Sequence, residues 1–158
     1  MSDEGSQQDS ELNLLLLHSG KVRDVYEVDA RTLLMVASDR ISAFDVILGQ
    51  PIPHKGEVLT LVTAWWLEQL EDRLAHHLIA VDPDAIIARH PDLATSRETW
   101  ARRAMLVART QPVLVECVVR GHITGSAWKE YRSNGTLANE PLPEGLLESQ
   151  RLDPTIFS

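Results

Sequence analysis

The chain has 158 residues, of which 44% are hydrophobic and 24% charged, a balance typical of one ordinary globular domain or two small ones. Its net charge is −8, from 15 lysines and arginines against 23 aspartates and glutamates, which argues against broad electrostatic binding to nucleic acid. The longest pure leucine run, residues 14–17, is too short to cross a bilayer and the acidic start is unlike a signal peptide, so we expect a cytoplasmic protein.

The first part of the chain is typical of an antiparallel meander behind a polar tail. Residues 1–11 are polar and acidic, which predicts a disordered segment. Three apolar runs of strand length follow at close spacing, with turn-forming residues between them. These runs are residues 12–17, 22–28 and 33–37.

A helix is predicted next, between residues 56 and 74. Apolar residues recur there every third or fourth position, which predicts one apolar face turned toward the core. Trp65 and Trp66 belong to that face and are expected to be buried. The predicted core positions of this helix are Val58, Leu61, Val62, Trp65, Trp66 and Leu70.

Two further apolar runs, residues 104–108 and 113–119, flank a Thr-Gln-Pro turn and are predicted to pair as strands. Cys117 lies in the second run and is expected to be a small core residue rather than a nucleophile. A short helix is then predicted over residues 127–132, with its stop at Gly135. The last residues, 152–158, have the pattern of another strand.

The first motif with chemical content is Ser-Gly-Lys-Val-Arg-Asp-Val-Tyr at residues 19–26. Gly20 lets backbone N–H groups approach phosphate oxygens, and Lys21 and Arg23, at alternate positions, could offset the charge of a triphosphate. The alternative is a hairpin turn whose charges are solvated, since a short Gly-Lys signal is common.

The second motif, residues 38–45, places two carboxylates, a guanidinium and two hydroxyls in eight residues after a strand. Asp39 or Asp45 could accept hydrogen bonds from an amine or amide, and Ser42 could donate to a phosphate or carboxylate. The alternative is a loop that satisfies itself, in which Arg40 pairs with an aspartate.

The third motif runs from Arg120, expected to end a strand, to Gly125 and Ser126, expected to open a helix. Free N–H groups and the helix dipole favour an anion at such a place. Arg120 could bind the same phosphate bidentately, with Ser126 as a hydroxyl donor. The alternative is that Ser126 only caps the helix.

No other chemistry is indicated by the sequence. The six histidines lack metal-ligand spacing, so no zinc site is predicted. No nucleophile elbow suggests a hydrolase, and the His-Arg-Asp and Asp-Phe-Gly motifs of a protein kinase are missing.

The three motifs in this order, with Ile-Pro-His-Lys-Gly-Glu at residues 52–57 between the second and third, resemble the phosphoribosylaminoimidazole-succinocarboxamide synthase family, over about residues 14–157. The resemblance implies an ATP-dependent ligase of purine biosynthesis. Its reaction would join L-aspartate to 5-amino-1-(5-phospho-D-ribosyl)imidazole-4-carboxylate, giving SAICAR, ADP and phosphate, with Mg²⁺ assisting. An acyl phosphate would be the intermediate. The partners implied are small molecules, and the sequence leaves the oligomeric state open.

The resemblance also implies a fold and site residues, although it assigns no catalytic residue. The fold class would be α+β, with a kinase-like antiparallel lobe over residues 12–112 and the start of an ATP-grasp-like lobe over residues 113–158. Expected ATP contacts are Gly20, Lys21, Arg23, Pro112 and Leu114. Expected contacts to the ribotide substrate are Asp39, Ser42, Asp45, Lys55, Arg120, Gly125 and Ser126.

One departure from the family pattern concerns the residues expected to bind Mg²⁺. Family members are longer and carry a later motif of the type Asp-x-Lys-x-Glu, whereas this chain contains no Asp-x-Lys. The resemblance therefore implies that the Mg²⁺ ligands lie outside these residues, and it predicts that the chain alone is marginally folded or aggregation-prone. The alternative is a non-catalytic module that binds a nucleotide or a ribotide.

Overall fold

The structure, a computed structural model, describes residues 12–43 and 46–158 and the backbone of residues 8 and 9. The chain divides into two units, Met1–Gln111 and Pro112–Ser158. Both contain antiparallel strands and helices, so the predicted α+β class is confirmed. Most of the expected disordered tail lies outside the described residues, and its two described residues, Gln8 and Asp9, pair with the strand at Leu14–Ser19.

The first unit is built on an antiparallel sheet. Its elements in chain order are β1 Gln8–Asp9, β2 Leu14–Ser19, β3 Arg23–Glu27, β4 Thr32–Ala37, β5 Ser42–Ala43, β6 Val46–Ile47, α1 Lys55–Leu70, β7 Leu78–Ala80, α2 Pro83–Arg89, a 3₁₀ helix Pro91–Ser96, α3 Arg97–Trp100 and β8 Ala104–Ala108. Among the described residues, the sheet has the strand order β1-β2-β3-β4-β8-β7, and β5 and β6 form a separate hairpin. The predicted meander is therefore confirmed as β2, β3 and β4.

The core of the first unit lies against the middle of this sheet. Leu34 of β4 and Leu106 of β8 are paired directly across the two strands, and both are fully buried. Trp100 is also fully buried, and its indole N–H donates to the Leu93 carbonyl at 3.1 Å, which satisfies the polar atom of a large apolar side chain.

The helix α2 was not predicted from the sequence. Its N-terminus is capped by Asp82, whose carboxylate accepts a hydrogen bond from the Ala85 N–H.

The orientation of α1 corrects the predicted core face. Trp65 and Trp66 are 51% and 54% exposed, and the predicted face as a whole is largely exposed. The buried residues of α1 are instead Gly56 and Thr60, whose hydroxyl donates to the Arg103 carbonyl at 3.1 Å. Gly56 determines which face of α1 lies on the sheet, because any larger side chain at this position would clash with the Ala37 carbonyl. The helix consequently approaches the sheet through its small residues.

The predicted pairing of residues 104–108 with residues 113–119 is wrong. Strand β8 lies between β4 and β7, so both of its edges are already hydrogen-bonded. Residues 113–118 have no regular structure and Leu114 is 93% exposed. Cys117 is exposed as well, which corrects its expected place in the core.

The second unit contains two short antiparallel pairs around one helix. Its elements are β9 Val119–His122, α4 Gly125–Asn134, β10 Thr136–Leu137, β11 Glu140–Pro141 and β12 Arg151–Phe157. Strand β9 pairs with β12, which confirms the strand predicted at the end of the sequence. Helix α4 ends at Gly135 with φ +71°, as predicted, and a small core forms around Ile123, Ala127, Leu137 and Leu152.

Membrane insertion through a helix finds no support in the described part of the chain. None of its helices is both long enough and apolar enough to be a membrane span.

We predict that Gly56→Ala destabilises the first unit. The new methyl group would lie 2.8 Å from the Ala37 carbonyl oxygen, so helix and sheet must separate. We expect a loss of about 1–3 kcal/mol in the free energy of unfolding, measured by urea denaturation. Gly49→Ala is the control, because a methyl group there meets nothing within 4 Å. Equal unfolding midpoints for the two variants would contradict the tight α1 contact.

Candidate functional site

The loop between β2 and β3 contains the first sequence motif. The Gly20 N–H donates to the Arg23 carbonyl at 2.7 Å, which closes a tight turn. A Cβ on Gly20 would lie 2.9 Å from that same carbonyl oxygen, so glycine is required by space. Lys21 is exposed, and Arg23 is the first residue of β3.

Arg40, a residue of the second motif, forms hydrogen bonds with this loop. Its Nη2 donates to the Gly20 carbonyl at 3.0 Å and to Asp24 Oδ1 at 3.1 Å, and its Nε donates to the Lys21 carbonyl at 3.2 Å. The Ser19 hydroxyl also donates to Asp24 Oδ1, at 2.7 Å. Arg40 therefore does pair with an aspartate, but with one from the first motif rather than from its own loop.

Asp39 is directed to the start of α1. Its Oδ1 accepts from the Gly56 N–H at 2.9 Å and its Oδ2 from the His54 N–H at 3.2 Å. The Gly56 hydrogen bond is the main reason that the pKa of Asp39 lies below its usual range; desolvation opposes it and the His54 bond supports it. His54 has φ +65° and supplies no side-chain cap, so the cap comes from Asp39. Lys55, between these two donors, is thereby held at the first position of α1.

The remaining predicted residues of the second motif lie near a small hairpin. Ser42 belongs to β5 and is opposite Ile47 of β6. Asp45 lies outside the described residues. The neighbouring carboxylate of Glu57 forms an ion pair with Arg102, and its Oε2 lies 3.4 Å from His54 Nδ1. Residues outside the predicted set therefore also contribute charge close to Lys55.

The second unit brings together two residues of the third motif. Arg120 Nη2 donates to the Ser126 hydroxyl oxygen at 3.2 Å, and its Nε donates to Ser158 Oγ at 3.2 Å. Arg120 lies inside β9 rather than at its end. The N-cap of α4 is Thr124, so Ser126 is not the capping residue, and Gly125 begins the helix with φ +59°. This is the positive end of a ten-residue helix without an acidic residue in its first turn.

The last two predicted residues, Pro112 and Leu114, lie at the start of the second unit. Both are exposed, in a segment without regular secondary structure. The side chains of Pro112 and Leu114 and the backbone around them are therefore accessible to solvent.

The sequence reasoning missed the partners of two site residues. Arg120 donates a hydrogen bond to Ser158, which lies 38 positions later in the sequence. Arg40 donates to the carbonyl of Gly20, which lies 20 positions earlier. Arg40 belongs to a polar loop of the sequence, but no local pattern shows which other loop it contacts. Only the pairing of β3 with β4 brings these positions together.

The described residues offer no cluster of metal ligands. Within residues 12–43 and 46–158, no three histidine, cysteine, aspartate or glutamate side chains are grouped as a metal cluster would require. Two aspartates lie near the loop between β2 and β3. Asp24 accepts a hydrogen bond from Arg40, and Asp39 accepts hydrogen bonds from backbone N–H groups. The described residues therefore do not fit a resident Mg²⁺ ion.

Comparison with known proteins identifies the family. A sequence profile described as SAICAR synthetase matches residues 16–158. The chain belongs to the SAICAR synthetase family. A phosphoribosylaminoimidazole-succinocarboxamide synthase from Pelobacter propionicus is 49% identical over 148 residues, which cover 92% of this chain and 48% of that protein. One from Chromobacterium violaceum is 42% identical, with 92% and 50% covered. The chain thus spans about half the length of the curated relatives that it matches.

Solved structures of SAICAR synthetases agree with this assignment. The Saccharomyces cerevisiae enzyme complexed with SAICAR is 41% identical, with a TM-score of 0.82 over 99% of this chain and 53% of that chain. A type-2 SAICAR synthetase in complex with ADP has a TM-score of 0.61 over 89% of this chain and 47% of that chain. At 20% identity, the second comparison shows a shared fold alone.

We predict that the contribution of Asp39 to stability depends on pH. Because the folded-state pKa is lowered, the stabilisation is present above the unfolded-state pKa of about 3.9 and is lost as pH falls through the folded-state value. Asp39→Asn should therefore be less stable than wild type at pH 7, and the difference should shrink between about pH 5 and pH 2. Urea unfolding across this range measures it.

The matched control is Asp72→Asn, which removes a carboxylate from an exposed position in the same unit. Its stability at pH 7 should stay within about 0.5 kcal/mol of wild type. A difference between Asp39→Asn and wild type that is the same at every pH would contradict the assigned role of the carboxylate.

Proposed function

We propose that this chain contributes the phosphate- and ribotide-binding part of an ATP-dependent ligase. The reaction joins L-aspartate to 5-amino-1-(5-phospho-D-ribosyl)imidazole-4-carboxylate and yields SAICAR, ADP and phosphate, in purine biosynthesis. The observation that carries the proposal is the family match across residues 16–158, which includes all three sequence motifs. The Arg120 and Ser126 pairing supports it, since a ribotide needs a phosphate site.

The chemistry proceeds in two displacements. The ribotide carboxylate attacks the γ-phosphorus of ATP, the bond from that phosphorus to the bridging oxygen breaks, and ADP leaves. The aspartate amine then attacks the acyl carbon of the acyl phosphate, phosphate leaves with the C–O electron pair, and the nitrogen loses a proton to give the amide. Neither step requires a covalent bond to the protein, which contributes mainly positioning and charge stabilisation.

For ATP, we assign the phosphates to Gly20, Lys21 and Arg23, and the adenine side to Pro112 and Leu114. The tight turn at Gly20 supports the first assignment, because it is followed directly by the backbone of Lys21 and Arg23, whose two cations can offset phosphate charge. The exposed, irregular backbone around Leu114 supports the second, since it can offer hydrogen bonds to a base.

For the ribotide, we assign the 5′-phosphate to Arg120 and Ser126 with the start of α4 at Gly125. Arg120 lies against the Ser126 hydroxyl at 3.2 Å, so both can donate to one phosphate at a positive helix end. Ser42, Asp45 and Lys55 would contact the remainder of the molecule. Asp39 would act on it through Lys55, because its carboxylate is bound to the backbone on both sides of that residue.

The wider expectations from the resemblance form part of the same proposal. The first unit would correspond to a kinase-like lobe and the second to part of an ATP-grasp-like lobe, and the enzyme would work in the cytoplasm. Mg²⁺ would enter with the nucleotide and reduce the charge of its phosphates. Since the described carboxylates do not fit a resident Mg²⁺ ion, no step is assigned to them with the metal.

A second candidate is a binding module without turnover. It is favoured by the extent of the match, because the chain spans about half of its relatives. Such a module would bind ATP or the ribotide but release no ADP. Measurement of turnover separates the two functions.

We predict ADP release that depends on Mg-ATP, the ribotide and aspartate together. It should be measured on this chain and on a fusion of the chain to the part of the Pelobacter propionicus relative that it does not match. The intact relative is the positive control, and mixtures that omit one substrate are the negative controls. Release by either polypeptide only when all three are present supports the ligase. Ribotide binding without release by either polypeptide supports the module.

We also predict that Arg120→Met weakens binding of the ribotide by roughly 10- to 100-fold, as expected when charge-assisted hydrogen bonds to a phosphate are lost. Isothermal titration calorimetry of the chain with the ribotide measures it. The matched control is Arg132→Met, at an exposed position in the last turn of α4, and its affinity should equal that of wild type. Equal loss in both variants would point to general charge rather than to the Arg120 site.

A further inference from the structure

We propose that Arg40 is a positioning residue, which holds the loop of residues 20–22 in the conformation that binds the ATP phosphates. This inference rests on the proposed function, since it concerns the same nucleotide. It adds a residue that belongs to neither set of expected contacts. Its basis is the hydrogen bonding around the loop.

Three consecutive carbonyls of the loop are all bound from the same short segment. Arg40 donates to the Gly20 and Lys21 carbonyls at 3.0 and 3.2 Å. The backbone N–H and the hydroxyl of Ser38 donate to the Val22 carbonyl at 2.9 and 3.1 Å. The carbonyls of residues 20–22 therefore all point toward residues 38–40.

The direction of the carbonyls fixes the direction of the N–H groups. A trans peptide is planar, with its N–H opposite to its C=O. The N–H groups of Lys21 and Val22 consequently point away from residues 38–40, on one side of the loop. Successive N–H groups on one side form the kind of concave nest that binds phosphate oxygens.

Arg40 also compensates a negative charge next to the nest. Its side chain is 38% exposed, and that of its partner Asp24 only 19%. An uncompensated carboxylate at this place would repel the phosphates of a nucleotide. Arg40 thus has two effects on the loop: it turns the carbonyls away from the ligand and it neutralises Asp24.

The geometry explains why an arginine is present. The guanidinium is a planar fork of donors, and here it serves two backbone oxygens and one carboxylate at once. A lysine ammonium is a single point on a flexible stem, so it can keep the charge pair but cannot hold both carbonyls in the same way. Arg40→Lys therefore separates positioning from charge.

We expect Arg40→Lys to weaken binding of Mg-ATP by roughly tenfold and to leave ribotide binding within about twofold of wild type. Isothermal titration calorimetry with each ligand on the 158-residue chain measures both affinities. Arg97→Lys is the matched control, since Arg97 forms an exposed ion pair with Asp84 at 2.5 Å in the same unit. A variant in which both affinities fall together would have lost general structure, and that result would overturn the specific role.

A second variant tests the charge effect. Arg40→Gln leaves Asp24 without its cation, so Mg-ATP should bind more weakly than to Arg40→Lys. Adding Asp24→Asn to Arg40→Gln removes the repelling carboxylate and should restore part of the affinity. No recovery in the double variant would overturn the compensation of Asp24 by Arg40.

A third measurement does not depend on the nucleotide. The Gly20 N–H, which donates to the Arg23 carbonyl, should exchange with solvent faster in unliganded Arg40→Lys than in wild type or Arg97→Lys. Unchanged exchange at Gly20 would overturn the role of Arg40 in shaping the loop. Absence of Mg-ATP binding by the wild type would instead overturn the proposed function and the ligand assigned to this loop.

Discussion

The hydrogen bonds of residues 38–40 are the constraint on which the candidate site of the first unit depends. This segment leaves the end of β4, a strand with neighbours on both sides. Ser38 and Arg40 bind the loop before β3, whereas Asp39, between them, binds the start of α1. The chain bends at Asp39, just after β4 ends, and the side chains of Asp39 and Arg40 reach different partners. One short segment therefore fixes both the proposed nucleotide loop and the helix that carries Lys55.

The position of α1 follows from the same constraint. Asp39 can accept from the N–H of Gly56 only if the helix start lies close to the end of β4, and glycine allows that approach to the Ala37 carbonyl. Once this end is fixed, the face with Gly56 and Thr60 must lie on the sheet. The apolar face with Trp65 and Trp66 then faces solvent. The contacts at the start of α1 thus determine which face of the helix lies on the sheet.

Local patterns in the sequence predicted much of the fold because they concern contacts between near neighbours. The meander, the helix at residues 55–70 and the stop of α4 at Gly135 depend on periodicity and turn residues. The pairing of residues 113–119 was predicted wrongly, because strand pairing depends on which edges remain free and distant strands decide that. In the site, Arg120 and Ser126 are six residues apart and lie together as expected. Arg40 and Gly20 are joined only by the sheet register, so their contact could not be predicted from either motif.

Net charge places a further demand on the two proposed anion sites. A chain with a charge of −8 repels a triphosphate or a ribotide at long range, so attraction must come from cations within contact distance. Charges separated by more than about 8–10 Å are largely screened at physiological ionic strength, whereas a hydrogen-bonded guanidinium acts well inside that distance. In this chain Arg40 and Arg120 are both held by several partners, and each lies beside backbone that can donate to phosphate. Under the proposed function, selectivity for a phosphate arises from local geometry, and the overall acidity of the chain disfavours anions that do not fit that geometry.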